Sequence, residues 1–300
     1  MSRKPKKRLS LCLITKDEER FLPGCLSSIR DFVDEIVVAD TGSRDRTVEI
    51  AREFGAKIVP FTWCDDFAAA RNAAVDAATG DVILSLDADE ELAPGYGKEL
   101  RRFALKEPFL VGLLPLHNAT SLDAKTGDIL SGRARLGEPT YLPRLFPNHP
   151  EMRFVRRVHE QVGGDLIRAR KIVGGKLRGV ETPLLHWGNV PELRTSLDKE
   201  RRNRELLELS LREDPTDGDL AGYLASMYFQ ADDHEGVLKL GREVLPHLFA
   251  KIDALASLEF APSPIQFAGA VAASAIRIGQ LETARQALEE ASKRIAAPHP

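Results

Sequence analysis

The segment Asp81-Val82-Ile83-Leu84-Ser85-Leu86-Asp87-Ala88-Asp89 is the most informative part of the sequence, because an apolar run ends there at two carboxylates spaced one residue apart. A run of this length is typical of a strand buried on both faces of a parallel sheet. Ligands of open α/β sheets bind outside the carboxyl ends of such strands. Paired carboxylates at that edge suit a hard divalent cation and the diphosphate that it neutralises. The stretch therefore predicts a ligand site at the sheet edge.

The same spacing occurs elsewhere in the chain, at Asp217-Gly218-Asp219. This second pair lies between two helical patterns, where acidic residues and glycine are typical of a solvated turn. The D-x-D spacing is informative at 87–89 only because a buried strand leads into it.

The residues before this segment alternate between strand and helix patterns. Alternation of this kind predicts right-handed crossovers and a parallel sheet. A glycine at position 55 is placed to end the second helix as a C-cap. The predicted strands are 9–14, 35–39, 57–61 and 81–86, and the predicted helices are 18–32, 45–54 and 67–78.

The residues after it change character twice. Between about 108 and 188, short strand patterns at 111–116, 140–146 and 153–158 are broken by proline and glycine, which predicts a mixed-sheet extension with long loops of the kind that builds an acceptor pocket. Beyond 188 the pattern is helical. The predicted helices are 193–211, 220–230, 235–245, 265–278 and 281–295.

The helical tail resembles tetratricopeptide hairpins, although the pairs are spaced more widely than the usual period of about 34 residues. The resemblance depends on a turn at Gly279 and on small residues at the packing positions, Ala221, Ala225, Ala272, Ala275 and Ala284. We expect an α/β fold in three parts: a basic tail at 1–8, a nucleotide-binding sheet with its mixed extension at 9–188, and a helical, repeat-like region at 189–300.

Composition restricts the class of protein. A net charge of −3 argues against a nucleic-acid binder, and 43% apolar with 29% charged residues is typical of a soluble globular chain. No apolar stretch approaches the ~20 residues of a membrane span. The basic start is either a disordered tail or a weak contact for anionic lipid. Three scattered cysteines fit reduced thiols. These features predict a cytoplasmic protein with at most peripheral contact with the inner face of the membrane.

Basic residues are concentrated between 133 and 178, where eleven arginines and lysines accompany four acids. This stretch is either a solvated face or a surface that faces the phosphate of a donor or of an anionic acceptor.

Several motifs together resemble the family 2 inverting glycosyltransferases of the GT-A fold. They are Leu13-Ile14-Thr15-Lys16-Asp17-Glu18-Glu19, D-E-I-V-V-A-D-T-G-S-R-D-R-T at 34–47, Trp63-Cys64-Asp65-Asp66-Phe67 with Ala70-Arg71-Asn72, and L-D-A-D-E at 86–90. Val158-His159-Glu160-Gln161, His186-Trp187-Gly188 and the helical tail are similar to the bacterial branch that includes the bacteriocin S-glycosyltransferases. The resemblance covers roughly residues 9–215.

The resemblance implies a role for each matching position. A nucleotide-sugar donor, most typically a UDP-sugar, would be bound by residues at the strand ends. Asp17 departs from the pattern, which usually has Asn there. The implied contacts are Thr15 and Glu18 with the nucleotide, Asp40 with the base, Arg71 in the nucleotide pocket, Asp87 with ribose or metal, and Asp89 as the direct ligand of Mg²⁺ or Mn²⁺.

Each role has a structural alternative. Asp40, which precedes Thr-Gly-Ser, could only initiate a turn. Arg71 could pair with Asp66 or Asp76 on the surface of its helix. Asp89 could belong to an ordinary solvated loop.

Inverting transfer also requires a general base, and a further metal ligand is expected. Glu160 is the candidate base, because it follows an apolar strand beyond the donor half. Its alternative is a structural pair with Arg156 or Arg157. His186 is the candidate third ligand of the metal or the diphosphate; its alternative is a packing role beside Trp187.

The residues thus favour a metal-dependent glycosyltransferase that acts on a glycan, lipid-linked or peptide or protein acceptor. A nucleotidyltransferase is a second hypothesis, although it would be expected to have a Gly-rich loop where residues 15–19 have none. The third is a non-catalytic scaffold that retains the fold.

Overall fold

The computed structural model describes residues 6–164, 166–193, 197–255 and 265–295. The chain divides into two compact units, 1–196 and 197–300, whereas the sequence places the boundary at 188. No helix among the described residues has the length and apolar character needed to cross a bilayer. Residues 1–5 of the predicted basic tail lie outside the described residues.

The first unit is a mixed α/β structure. Two short 3₁₀ turns, Arg30–Phe32 and Pro191–Leu193, accompany its strands and helices. The strands are β1 (Leu9–Thr15), β2 (Glu35–Asp40), β3 (Lys57–Pro60), β4 (Val82–Ser85), β5 (Glu90–Leu92), β6 (Val111–Asn118), β7 (Thr140–Pro147), β8 (Phe154–Val155), β9 (Gln161–Val162), β10 (Leu177–Gly179) and β11 (Leu184–His186). The helices are α1 (Leu22–Ile29), α2 (Thr47–Glu53), α3 (Phe67–Ala77), α4 (Gly97–Lys106), α5 (Thr126–Leu130) and α6 (Leu166–Val173).

The main sheet has nine strands in the order β3-β2-β1-β4-β7-β6-β11-β5, with β10 also paired to β6. Strands β3, β2, β1 and β4 pair in parallel with one another, which confirms the predicted parallel half. Strand β7 is antiparallel to both β4 and β6, so the predicted mixed extension is also confirmed. Strands β8 and β9 form a separate antiparallel pair.

The sheet is buried on both faces because the side chains of β1 alternate between two apolar layers. Leu9, Leu11 and Leu13 belong to the layer that includes residues of α1 and α4. Cys12 belongs to the opposite layer with residues of α3. This two-sided burial explains why the parallel strands are nearly all apolar, and it leaves polar residues to the strand ends.

Several elements differ from their predictions, three of them as follows. The helix predicted at 18–32 begins only at Leu22, because the backbone N–H groups of residues 17–19 donate to side chains of residues 43–47 instead. The strand predicted at 153–158 stops after Val155, because Arg156 has a φ of 75° and turns the chain. The helix predicted at 235–245 continues through Pro246 to Leu255.

The second unit contains α7 (Leu197–Glu213), α8 (Gly218–Gln230), α9 (His234–Leu255), α10 (Ile265–Arg277) and α11 (Leu281–Ile295). Asp217, from the second D-x-D pair, caps α8 by accepting from the backbone N–H groups of Asp219 and Leu220. Gly279, with a φ of 77°, ends α10 as predicted. The small residues predicted to lie at packing positions are all buried, namely Ala221, Ala225, Ala272, Ala275 and Ala284.

Candidate active site

The carboxyl ends of the parallel strands bring the predicted residues to one edge of the sheet. Thr15 ends β1 and is in register with Asp40, which ends β2. Strand β4 pairs with the other side of β1, and Asp87 follows it after one further residue. The topology therefore places Thr15, Asp40 and Asp87 at the same edge of the sheet.

Asp40 is buried, and its carboxylate is occupied by the turn that follows β2. One oxygen accepts from the backbone N–H groups of Gly42 and Ser43, both at 3.0 Å. The other accepts from the hydroxyl groups of Ser43, at 2.5 Å, and Thr15, at 3.3 Å. This is the turn-forming role considered as its alternative, and its contact with a nucleotide base stays a prediction.

The loop after β1 is bonded to the loop after β2. The Glu18 backbone N–H donates to Thr47 Oγ1 at 2.7 Å. Asp17, at the position where the family pattern usually has Asn, has a φ of 56° and accepts from the Arg44 backbone N–H at 2.6 Å. Lys16 Nζ also donates to the carbonyl of residue 42. These bonds hold both predicted nucleotide loops in one arrangement.

The Arg71 side chain connects the segment after β4 with the segment before β9. Its side chain is only 7% exposed. Its Nη2 donates to Asp87 Oδ1 at 2.6 Å, and its Nε donates to Glu160 Oε1 at 2.5 Å. A longer contact, 3.4 Å, reaches Ser85 Oγ from Nη1. The structure thus brings together three predicted residues that are far apart in the sequence.

The alternative partners of Arg71 are engaged elsewhere. Asp66 caps α3 by accepting from the Ala69 backbone N–H at 2.8 Å. Asp76 accepts from Arg153 Nε at 2.8 Å. Arg71 therefore points into the protein from α3, rather than pairing along the surface of that helix.

Arg144 and Glu90 belong to the same charge network, although sequence reasoning did not identify them as site residues. Arg144 Nη2 donates to Asp87 Oδ2 at 2.8 Å and to Glu90 Oε1. Glu90 is 1% exposed, and its other oxygen accepts from the Asp87 backbone N–H at 3.1 Å. The only sequence signals were that Glu90 follows the D-x-D pair and that Arg144 lies in the basic stretch.

The network shifts the pKa values of Asp87 and Glu90 in opposite directions. Burial opposes charge on Asp87, but Arg71 and Arg144 outweigh it and hold the pKa of that carboxyl well below its usual range. Burial raises the pKa of Glu90 to about 7, against the opposing effect of Arg144. Asp87 is therefore the permanent anion between the two guanidinium groups.

Glu160 is held toward Arg71 by the segment that connects β8 to β9. Asn72, the neighbour of Arg71 on α3, bonds both the backbone N–H and the carbonyl of Phe154, at 2.8 and 2.9 Å. The chain then turns through positive φ values at Arg156 and His159. Backbone conformations of this kind are costly for residues other than glycine, and they are concentrated at functional sites.

Asp89 and His186 meet because the D-x-D segment runs directly into β5. Strand β5 pairs with β11, with Glu90 opposite His186. His186 Nε2 lies 3.4 Å from Asp89 Oδ2. The other ring nitrogen, Nδ1, lies 2.6 Å from Asn118 Oδ1, which also accepts from Asn189 Nδ2 at 3.0 Å.

These contacts fix the orientation of the His186 ring. Because Asn118 Oδ1 accepts, Nδ1 carries the proton and Nε2 faces Asp89. Burial lowers the pKa of His186, but the hydrogen bond and the charge of Asp89 outweigh burial, so the net shift is upward. The role of His186 as a ligand stays a prediction, as does its alternative, a packing role beside Trp187.

The predicted metal ligands, Asp89 and His186, form a pair rather than a larger cluster. Within the described parts of the chain, no group of three or more His, Cys, Asp and Glu side chains is arranged to bind a metal ion. Asp89 and His186 nevertheless present a carboxylate oxygen and an imidazole nitrogen side by side. If such a pair held a cation, it would leave positions for phosphate oxygens, as is usual for cations that act on phosphorylated substrates.

Comparison with known proteins places this site in a family context. Residues 10–162 match the family model described as glycosyl transferase family 2. A TPR repeat-containing protein of Synechococcus elongatus is 40% identical over 228 residues, which is 75% of this chain and 53% of that protein. The prophage-derived glycosyltransferase SunS of Bacillus subtilis is 27% identical over 209 residues, 68% of this chain and 45% of SunS.

The chain thus spans about half the length of these two relatives. Among solved structures, S. aureus TarS 1–349 in complex with UDP-GlcNAc has a TM-score of 0.51 at 15% identity, covering 95% of this chain and 92% of that one. At this identity the likeness concerns the fold alone, and it agrees with the predicted GT-A sheet.

Proposed function

The chain belongs to glycosyl transferase family 2, and from this membership we propose that it transfers a sugar from a nucleotide-sugar donor to an acceptor with inversion at the anomeric carbon. The observation that carries the proposal is the Arg71 side chain, which bonds a carboxylate after β4 and the candidate base Glu160. A donor bound at the strand ends and an acceptor approaching Glu160 would then both lie beside the Arg71 guanidinium.

For the donor we propose a UDP-sugar bound along the carboxyl edge of the parallel strands. Thr15 and Glu18 would contact the nucleotide, and Asp40 would maintain the loop beneath it through its four hydrogen bonds. Arg71 and Asp87 would line the pocket beside the ribose and phosphates. The strand ends are where ligands of α/β sheets bind, which supports this placement.

For the cation we propose that Asp89 and His186 hold Mn²⁺ or Mg²⁺. An imidazole beside a carboxylate favours Mn²⁺ over Mg²⁺, because imidazole is a softer ligand than oxygen. When bound, the cation would neutralise the departing diphosphate. Asn118 would keep the proton on His186 Nδ1, so that Nε2 offers its lone pair whenever the ring is neutral.

For the general base we propose Glu160, whose side chain is 14% exposed. In an inverting transfer the acceptor attacks from the face opposite the leaving group, and its proton must pass to a positioned base. The ion pair with Arg71 would orient the carboxylate before the acceptor arrives. A thiol acceptor would need less help, because a thiol is already partly ionised near neutral pH.

The acceptor is proposed to be a glycan, a lipid-linked sugar, or a peptide or protein. The helical unit and the basic stretch at 133–178 support a large or anionic acceptor. We further propose a cytoplasmic location, with at most peripheral contact with the inner face of the membrane.

Hydrolysis of a panel of UDP-sugars, with and without Mn²⁺, tests the proposal. We compare the wild type with Asp89→Ala, and use Asp219→Ala, from the other D-x-D pair, as a matched control. Metal-dependent turnover that is lost only in Asp89→Ala is the expected result. Release of pyrophosphate from a nucleoside triphosphate would favour a nucleotidyltransferase. Absence of both turnover and a thermal shift with UDP would favour the scaffold.

The base is tested separately with Glu160→Gln. The amide keeps a hydrogen-bond acceptor for Arg71 but cannot take a proton. We expect UDP affinity to stay within about twofold, while the rate of transfer falls by roughly 10²–10⁴. If UDP affinity fell in parallel with the rate, Glu160 would be part of the donor site instead.

A further inference from the structure

Gly188 lies against both residues proposed to hold the cation. A β-carbon built on Gly188 in standard geometry falls 2.7 Å from His186 Nε2 and 3.0 Å from Asp89 Cγ, and closer still to Asp89 Oδ2. β-carbons in proteins do not approach other atoms so closely. No side chain, not even a methyl group, therefore fits at position 188 while Asp89 and His186 keep their places.

The requirement for glycine here is spatial rather than conformational. Several glycines of this chain have a positive φ, which disfavours any other residue, but Gly188 is not one of them. An alanine at 188 therefore does not meet the penalty that a positive φ imposes on other residues. What it cannot do is share the space in front of Asp89.

The space that a β-carbon of residue 188 would need is occupied by the two atoms proposed to bind the cation. Asp89 Oδ2 and His186 Nε2 lie 3.4 Å apart, and both border the position that a β-carbon would take. The neighbouring backbone is tied to the same residue, since the Trp187 N–H donates to the Asp89 carbonyl at 3.3 Å. The backbone next to Gly188 and the side chains of Asp89 and His186 are therefore packed closely around its α-carbon.

We propose that Gly188 is a positioning residue for the cation, whose missing side chain lets Asp89 Oδ2 and His186 Nε2 face the same point. The inference rests on the proposed function, because the cation at Asp89 and His186 is part of it. A methyl group at 188 pushes the carboxylate oxygen and the ring nitrogen apart. Because both are ends of side chains and not backbone, the fold accommodates the change and the ligand pair does not.

The test compares Gly188→Ala with Gly179→Ala. Gly179 ends β10 in the same unit, lacks a positive φ, and has none of the described atoms within 4 Å of a built β-carbon, so it is a matched control. For each variant we measure the Mn²⁺ dissociation constant in the presence of UDP, UDP affinity in EDTA, and thermal unfolding in EDTA. None of these depends on turnover.

We expect Gly188→Ala to weaken Mn²⁺ binding at least tenfold, the size of effect seen when groups that orient metal ligands are changed. UDP affinity in EDTA and thermal unfolding should match the wild type, and Gly179→Ala should match it in all three measurements. Mn²⁺ affinity of Gly188→Ala within twofold of the wild type would overturn the proposal. So would equal loss of UDP binding in EDTA or of folding, because the role would then be structural.

A failure of the underlying function is recognisable as a different pattern. If the wild type itself binds no Mn²⁺, and Asp89→Ala has the same Mn²⁺ affinity as the wild type, the cation is rejected as part of the proposed function. The proposed role of Gly188 is then rejected as well. If Asp89→Ala abolishes Mn²⁺ binding while Gly188→Ala does not, only the role of Gly188 is rejected.

Discussion

Replacing Arg144 with methionine should destabilise the first unit more than any exposed arginine replacement does. The Arg144 side chain is 9% exposed and bonds two acids, Asp87 and Glu90. Methionine retains much of the apolar volume but removes both hydrogen bonds and the charge. It leaves Glu90, which is 1% exposed, in the interior without a cation beside it.

At a pH above about 7, where Glu90 is ionised in the wild type, the expected cost is that of breaking a buried ion pair. Removing one partner of such a pair costs roughly 3–5 kcal/mol, because the other is left uncompensated. In a unit of this size that loss corresponds to a fall in melting temperature of roughly 6–20 °C. The double variant Arg144→Met/Glu90→Gln should recover a large part of the loss, because no buried carboxyl is then left without its arginine.

The assay can follow the first unit alone. The chain has two tryptophans, Trp63 and Trp187, and both lie in that unit. Urea unfolding monitored by tryptophan fluorescence therefore reports its free energy of unfolding. Arg133→Met is the matched control, because Arg133 pairs with Asp128 at the surface, with 73% of its side chain exposed, and such pairs contribute at most about 1 kcal/mol. Equal losses in the two variants, or a double variant no more stable than Arg144→Met, would show that the buried ion pair does not stabilise this unit.

Three further predictions concern stability. Gly269→Ala in α10 should stabilise the helical unit by about 0.5–1 kcal/mol, because none of the described atoms lies within 4 Å of a β-carbon built at that position. Gly241→Ala in α9 should instead lower the melting temperature of this unit, measured by circular dichroism, because a β-carbon built on Gly241 lies 2.8 Å from a valine Cγ2. Asp40→Asn should lower the free energy of unfolding in urea by roughly 1–3 kcal/mol, because the substitution can replace the carboxylate oxygen that accepts from two backbone N–H groups. Burial alone would raise the pKa of Glu35, but hydrogen bonds from two hydroxyls and a backbone N–H outweigh it and lower that pKa. Its stabilising contribution is thus present above the ordinary value of 4.5 and lost as pH falls through the lowered pKa, so Glu35→Gln should be less stable than the wild type at neutral pH and equal to it in strong acid.

Sequence patterns predicted the parallel half of the sheet well, because its strands are buried on both faces and leave continuous apolar runs. The run at 81–86 corresponds to β4, and the run at 9–14 to β1. Their order in the sheet then places the acids that follow them on one edge. Boundaries were less accurate where side chains compete with helical bonding, as at 17–19.

The charge network could not be predicted from the sequence, because its members come from separate elements. Arg144 looks like one basic residue among eleven in its stretch, and nothing near it in the sequence indicates that it bonds an acid 57 positions away. Glu90 looks like a solvated neighbour of Asp89, yet the pairing of β5 with β11 buries it. Both roles follow from strand pairing, which local periodicity does not specify.

The position of Arg71 has a consequence for how this site can be dissected. One guanidinium bonds Asp87 through Nη2 and Glu160 through Nε, so any substitution at Arg71 disturbs the proposed donor site and the proposed base together. Even lysine, whose three N–H donors share one nitrogen, cannot place donors at the two separate positions that Nε and Nη2 occupy. Donor binding and base function are therefore separable only at the outer members of the network, with Arg144 and Glu90 on one side and Glu160 on the other. A variant of Arg71 that lost both would be uninformative about either, and the selective variants are the ones that can assign the roles.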